Sequence, residues 1–190
     1  SLTSGQTGRQ RLFLLEDMAR LSYVRKDWHE ASRAYGEALT ICRQRLQTLG
    51  DTPEALRDLS ISLDRVGDVR RARGELAAAS ESYEESLSLR RLLRQSLGDT
   101  PEALRDLSIS LNHVGDVRRA RGELTVASES YEESLSLIRQ VRERLGDTPQ
   151  VSQDLVVCLM KAATIRQALG DKQGAQSARA EAYTLRSPED

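Results

Sequence analysis

Apolar side chains recur every three or four residues along almost the whole chain, and the recurrence breaks at regular intervals. From Gln10, Leu12, Leu15, Ala19 and Ser22 share one face, with Leu14, Met18 and Leu21 alongside. That spacing predicts a helix to about Val24. A tight turn at Lys26-Asp27 leads to a second helix from Trp28, striped by Ala31, Tyr35, Ala38, Leu39 and Cys42. Leu56, Leu59, Leu63, Val66 and Arg70 mark an amphipathic helix from Pro53 to about Arg73, and Leu76, Ala79, Tyr83, Ser86, Leu87 and Arg90 mark the next, to about Leu97. Near the C-terminus Leu155, Cys158, Leu159, Ala162 and Ala163 keep a stripe up to Leu169-Gly170. The helix after Asp171 is more polar, with Arg179 where earlier copies have tyrosine. Residues 1–8, SLTSGQTG, have turn composition and predict a flexible lead-in; Ser187–Asp190 predict a frayed tail.

The breaks share one motif. In Leu49-Gly50-Asp51-Thr52-Pro53-Glu54, Gly50 ends one helix in a left-handed conformation and Thr52 or Asp51 accepts bonds from the first-turn amides of the next. Pro53 suits the first helical position, which needs no amide, and Glu54 faces the positive end of the dipole. The motif returns at Gly98–Glu102 and at Gly146–Pro149. It belongs to a larger repeat: Leu49–Ser96 and Leu97–Arg144 align without gaps over 48 residues and are identical at 39 of them. A fixed period of this length predicts stacked repeats, since neither helix of a pair buries its stripe alone. The expected domain is all-α and spans 1–190, with repeats at about 9–48, 49–96, 97–144 and a divergent 145–187.

Composition narrows the function. The 28 basic and 29 acidic residues leave a net charge of −1, without the basic footprint of a nucleic-acid binder. No apolar run approaches membrane-spanning length and no signal-peptide pattern opens the chain. Cys42 and Cys158 fall far apart in helical patterns, consistent with two reduced core thiols and a cytoplasmic setting. His29 and His113 lack partners at metal-ligand spacing, and the glycines sit in caps and helix faces instead of a phosphate loop. No nucleophile, base and stabiliser converge, so neither an enzyme nor a cofactor is expected. The serines Ser80, Ser82, Ser86 and Ser88 read as small residues on packed or solvated faces.

Leu63, Gly67, Gly74, Ala79, Tyr83 and Ser86, with Leu111, Gly115, Gly122, Ala127, Tyr131 and Ser134 in the next copy, resemble the tetratricopeptide repeat. Leu15, Ala19, Lys26, Trp28, Ala31, Tyr35 and Ala38 form a recognisable first unit, and Leu159, Ala163, Gly170, Ala175, Arg179 and Ala182 a weak fourth. The period departs from the family's usual 34 or so residues, and the added length lies around the GDTP junction. The resemblance implies a right-handed superhelical α-solenoid of antiparallel helix pairs. It also implies a concave groove, lined by the first helix of each unit, that holds extended peptides or partner helices.

Carried over residue by residue, that groove shows Phe13, Glu16, Asp17, Arg20 and Tyr23; Ile61, Asp64, Arg65, Asp68 and Arg71; Ile109, Asn112, His113, Asp116 and Arg119; and Val157, Met160, Lys161, Thr164 and Gln167. Two of the nine differences between the copies, Asp64/Asn112 and Arg65/His113, fall side by side on it. Asp68–Arg71 and Asp116–Arg119 are expected to pair one turn apart, as exposed pairs of little energetic weight. The mixed charge disfavours a receptor for C-terminal carboxylates. The expected function is therefore a protein- or peptide-binding scaffold or adaptor. A sensor or regulatory part of a larger bacterial-type signalling or effector protein, and a self-association module giving a homo-oligomer, are the alternatives.

Overall fold

The computed structural model describes residues 4–186. Among them the chain forms eight helices and no strand: α1 (Ser4–Val24), α2 (Trp28–Leu49), α3 (Pro53–Ala72), α4 (Leu76–Leu97), α5 (Pro101–Ala120), α6 (Leu124–Leu145), α7 (Pro149–Ala168) and α8 (Lys172–Arg186). The fold is all-α, of the helical-repeat solenoid class. The helix limits follow the sequence reading closely except at the start. α1 begins at Ser4, so residues 4–8 of the expected flexible lead-in are helical. Residues 1–3 and the expected frayed tail, 187–190, lie outside the described residues.

The junctions work as their residues dictate. Thr52, Thr100 and Thr148, not the preceding aspartates, are the N-caps, each accepting a bond from an amide in the next first turn; such caps contribute about 1 kcal/mol apiece. Gly50 ends α2 at φ +69°, and its amide donates to the Leu46 carbonyl. The aspartates take a different task. Asp99 accepts from Arg94 Nε at 2.6 Å, and Asp147 accepts from Arg142 Nε at 2.5 Å. These guanidinium bonds hold both carboxyls below their ordinary range. At the α1–α2 turn Lys26 adopts φ +61°, where the corresponding later positions are Gly74, Gly122 and Gly170.

The chain divides into two compact units, residues 1–89 and 90–190, the division falling within α4. In the first, Leu12, Leu15 and Ala19 of α1 pack with Ala31, Ala34, Tyr35, Ala38 and Cys42 of α2 and with Leu59, Leu63 and Val69 of α3. The alanines on α2 are completely buried and keep the contact surface shallow. In the second, Leu135 and Ile138 of α6 pack with Leu155, Cys158, Leu159, Ala162 and Ala163 of α7 and with Ala178 and Ala182 of α8. Cys42 and Cys158 are both buried free thiols, and burial pushes Cys42 up to about 11.

One packing device appears in both units. A Cβ added to Gly67 would stand 2.5 Å from Cε1 of Tyr83, and one on Gly115 would stand 2.5 Å from Cε1 of Tyr131. Each glycine is the seat of a buried tyrosine ring from the partner helix of its own pair. Ser86 and Ser134 are buried because their hydroxyls donate to the backbone carbonyls of Ser60 and Ser108 on the facing helices, at 3.0 and 3.1 Å. Serine at those positions is thus a hydrogen-bonded core residue.

Candidate functional site

The first helices of the pairs carry the predicted groove residues, and their faces are described unit by unit. In the first unit α1 presents Phe13, Glu16, Asp17, Arg20 and Tyr23. Phe13 is exposed, Arg20 donates to Asp17 at 2.9 Å, and the Tyr23 ring meets Trp28 edge-on at a centroid distance of 5.3 Å. Glu16 is half-buried. Burial raises its pKa, the neighbouring charges of Asp58 and Asp17 raise it further, and Arg65 partly offsets them. On α3 Ile61, Arg65 and Arg71 are exposed, whereas Asp64 is buried and belongs to the wall of the site more than to its surface.

The expected exposed Asp68–Arg71 pair needs correction. The Asp68 side chain is only 15% exposed, and Arg71 and Arg65 stand 3.8 and 3.9 Å from its oxygens. Its closer partner is the buried Tyr83 hydroxyl, which donates to Oδ1 at 2.8 Å. Burial, then the Asp68 charge, raises the Tyr83 pKa well above its ordinary value. Sequence reasoning missed this bond, although the 15-residue Asp–Tyr spacing occurs in both near-identical copies.

In the second unit Asp116 likewise accepts from Tyr131, at 2.7 Å, and it also receives Lys161 Nζ from α7 at 2.5 Å. The same ammonium lies 5.6 Å from the centroid of the Tyr131 ring. Asp116 and Lys161, both named from the sequence, are therefore brought together. Asn112 turns partly inward and donates to Cys158 Sγ at 3.5 Å, close to Ser108 and Ser134. His113 is half-buried, Arg119 and Met160 are exposed, and exposed Thr164 donates to the Met160 carbonyl at 2.8 Å. Ile109 and Val157 are exposed, as Ile61 and Phe13 are in the first unit.

In each unit the first helices thus carry apolar tips beside ion pairs and hydrogen bonds. Among the described residues no cluster of three or more His, Cys, Asp or Glu is placed to hold a metal ion, and no helix is long and apolar enough to cross a membrane. A cleft of about 480 Å³ lies elsewhere in the second unit, between the start of α7 and the end of α8. It is lined by Pro149, Ser152, Val156 and Leu185 among others, and by none of the predicted groove residues.

No family model matches the chain, and no curated protein matches it. Solved structures do. BtubC (BKLC) from P. vanneervenii superposes with a TM-score of 0.73 at 17% identity over 93% of this chain, which spans 63% of the length of that one. A putative kinesin light chain from Podosopora anserina with nearly identical TPR-like repeats gives 0.50 at 16% identity, covering 94% of this chain and 96% of its own. A de novo designed helical repeat protein gives 0.50 at 19% identity, covering 96% and 91%. The chain therefore shares its fold with TPR-like helical-repeat proteins.

Proposed function

We propose that this chain is a protein- or peptide-binding repeat scaffold that engages its partner through the exposed face of the first helix of each pair. One observation carries the reading. At a single register, Phe13, Ile61, Ile109 and Val157, every first helix leaves an apolar side chain between 39% and 72% exposed, although a 48-residue shift elsewhere preserves buried positions. Beside those tips the side chains change from copy to copy, as in Asp64 and Arg65 against Asn112 and His113. Repeated anchors with varied neighbours suit an elongated ligand that meets each repeat differently. The preformed helices would lower the ordering cost of binding.

A peptide-display selection on the whole chain tests this. Peptides selected on the wild type should lose at least tenfold in affinity against Arg65→Glu/Arg119→Glu and against Ile61→Glu/Ile109→Glu. They should bind normally to Glu129→Arg, on the exposed side of α6. Peptides that bind all four proteins alike would move the site off this face.

A further inference from the structure

Three helix pairs carry a tyrosine at one register, Tyr35, Tyr83 and Tyr131, each 48 residues after the last. Two of these hydroxyls meet a carboxylate on the first helix of their own pair. Tyr83 donates to Asp68 and Tyr131 to Asp116, at 2.8 and 2.7 Å. One repeat before Asp68 the residue is Arg20, so the first pair lacks the acid that would receive Tyr35. The Tyr35 ring is nonetheless buried, 5% exposed, in the cluster that holds Leu15, Ala19 and Leu63. Among the described residues its hydroxyl makes no hydrogen bond, and the oxygen is not sealed from solvent. Ala19 stands where Gly67 and Gly115 seat the later rings, and a methyl there would come within 2.5 Å of those rings. Tyr35 therefore cannot lie as they do.

The surroundings of this hydroxyl belong to the candidate face. Burial raises the Tyr35 pKa most, and the charges that act on it are, in order, Arg65, Asp68, Glu16 and Arg20. All four are face residues of α1 and α3, so the hydroxyl opens on that face of the first unit.

The second unit shows what such a place holds. There Asp116 lies between the Tyr131 hydroxyl and Lys161 Nζ, at 2.7 and 2.5 Å. Two repeats earlier the same tyrosine, acid and base become Tyr35, Arg20 and Arg65. The tyrosine and the outer base are kept, and the central acid is exchanged for a second base. The two arginines have weak partners: Arg20 holds Asp17 in an exposed pair, and Arg65 stands 3.9 Å from Asp68, whose nearer partner is Tyr83. Such pairs yield to a better partner at little cost. The opposing acids are muted, because Asp68 is bonded to Tyr83 and burial favours the neutral form of Glu16. A cation would have to approach past both guanidinium groups.

We propose that Tyr35, Arg20 and Arg65 form a subsite for an aspartate or glutamate side chain of the partner, which supplies the carboxylate that this pair lacks. The subsite rests on the peptide-binding reading above and names the chemistry its ligand carries. That ligand has an acid beside apolar residues, because Phe13 and Ile61 stand exposed on the two helices that border the hydroxyl. Tyr35 donates to the incoming carboxylate as Tyr83 does to Asp68, and the guanidinium groups add charge-assisted bonds.

Two measurements test the subsite and fail separately. In a peptide-display selection on the whole chain, peptides that lose affinity against Ile61→Glu/Ile109→Glu bind the face. These should share an aspartate or glutamate whose replacement by asparagine or glutamine costs about tenfold in affinity on the wild type. On Tyr35→Phe/Arg65→Gln the same replacement should cost about twofold or less, the signature of a direct coupling. Face-binding peptides without such an acid, equal costs on both proteins, or a requirement for a free C-terminal carboxylate would overturn the subsite. Peptides indifferent to Ile61→Glu/Ile109→Glu would overturn the peptide-binding reading and the ligand with it, while the second measurement still decides whether the place takes a carboxylate. That measurement needs no peptide. Arg20→Asp puts an acid at the register of Asp68 and Asp116. It should raise the urea midpoint of the chain, and adding Tyr35→Phe should remove the gain. A lowered midpoint, or a gain that survives Tyr35→Phe, would show that nothing there calls for an acid.

Discussion

The two compact units contain the same internal joint in different surroundings. In residues 1–89 Gly67 seats Tyr83, whose hydroxyl bonds Asp68, and that acid looks toward Arg65 and Arg71 at nearly 4 Å. In residues 90–190 Gly115 seats Tyr131, and Asp116 is closed off by Lys161. One register on the candidate face reads Glu16 and Asp64 in the first unit but Asn112 and Met160 in the second. The interior joint is kept from unit to unit while this one register goes from acidic to neutral. The residues that shape the joint and those beside the exposed tips can therefore change separately.

The largest expected effect tests whether the joint is the same in both units. Gly67→Ala and Gly115→Ala each drive a methyl into a ring that is fully buried and tethered by its hydroxyl. Overpacking of this kind costs about 1–3 kcal/mol, and it outweighs the gain of up to about 1 kcal/mol that alanine brings to a helix interior. The last helix pair is the internal control, for it has Ala163 and Arg179 at the corresponding positions. There Ala163→Gly should destabilise, by about 0.5–1 kcal/mol. Urea denaturation of the three variants measures all of this, and a stabilising Gly115→Ala would show that the ring does not need the glycine.

The next effect separates the units. Tyr83→Phe and Tyr131→Phe each remove a hydroxyl from a half-buried carboxylate, a loss of about 1–2 kcal/mol. Asp116 retains the Lys161 ammonium, so Tyr131→Phe should cost less than Tyr83→Phe. Adding Lys161→Met should then bring the second unit's loss up to that of the first. Equal costs for the two single variants would mean that Lys161 contributes little to the joint.

Much of this architecture is legible in the sequence because it is local or periodic. The threonine caps and the positive-φ glycines each depend on residues a few positions apart, whereas the seating of Tyr83 on Gly67 depends on how two helices pack. The helical start of α1 is hidden because two glycines and several small polar residues in SGQTG carry weak propensity. The Tyr–Asp bonds and the Lys161–Asp116 contact were missed for another reason. They join residues 15 and 45 positions apart, whose meeting depends on how helices are packed and not on any stripe. The sequence names the candidate face only as a set of positions; which of its charges are committed to the scaffold, as Asp68 and Asp116 are, emerges from geometry.

A smaller effect, readable in pH, concerns the acidic side of the comparison. The raised pKa of Glu16 means that the folded state resists its ionisation, chiefly through burial and then through Asp58. Its contribution is fully favourable below the ordinary glutamate value of 4.5 and is lost as pH rises through the elevated folded value. Glu16→Gln should therefore stabilise the chain at pH 7 and have little effect below pH 4.5, as denaturation at the two pH values would show. Introducing the acid's counterpart in the second unit, Asn112→Asp, should destabilise at pH 7 for the same reason of partial burial. A gain from that substitution would show that the second unit accommodates the charge.

The smallest expected effect lies where the units are alike. Arg43 reaches Glu85 at 2.9 Å in the first unit, while Arg91 and Arg139 reach Glu133 and Glu181 at 3.4 and 2.8 Å in the second. The repetition gives these pairs the look of a structural ladder, but the arginine side chains are about half exposed and the acids about 40% exposed or slightly less. Exposed pairs lose in side-chain ordering and salt screening most of what Coulomb attraction supplies. Arg139→Ala and Arg43→Ala should each cost about 0.5 kcal/mol or less, with the cost shrinking further in concentrated salt. A cost above that of Tyr131→Phe would reverse the ranking and make the ladder, in place of the buried joint, the element that sets the spacing of the repeats.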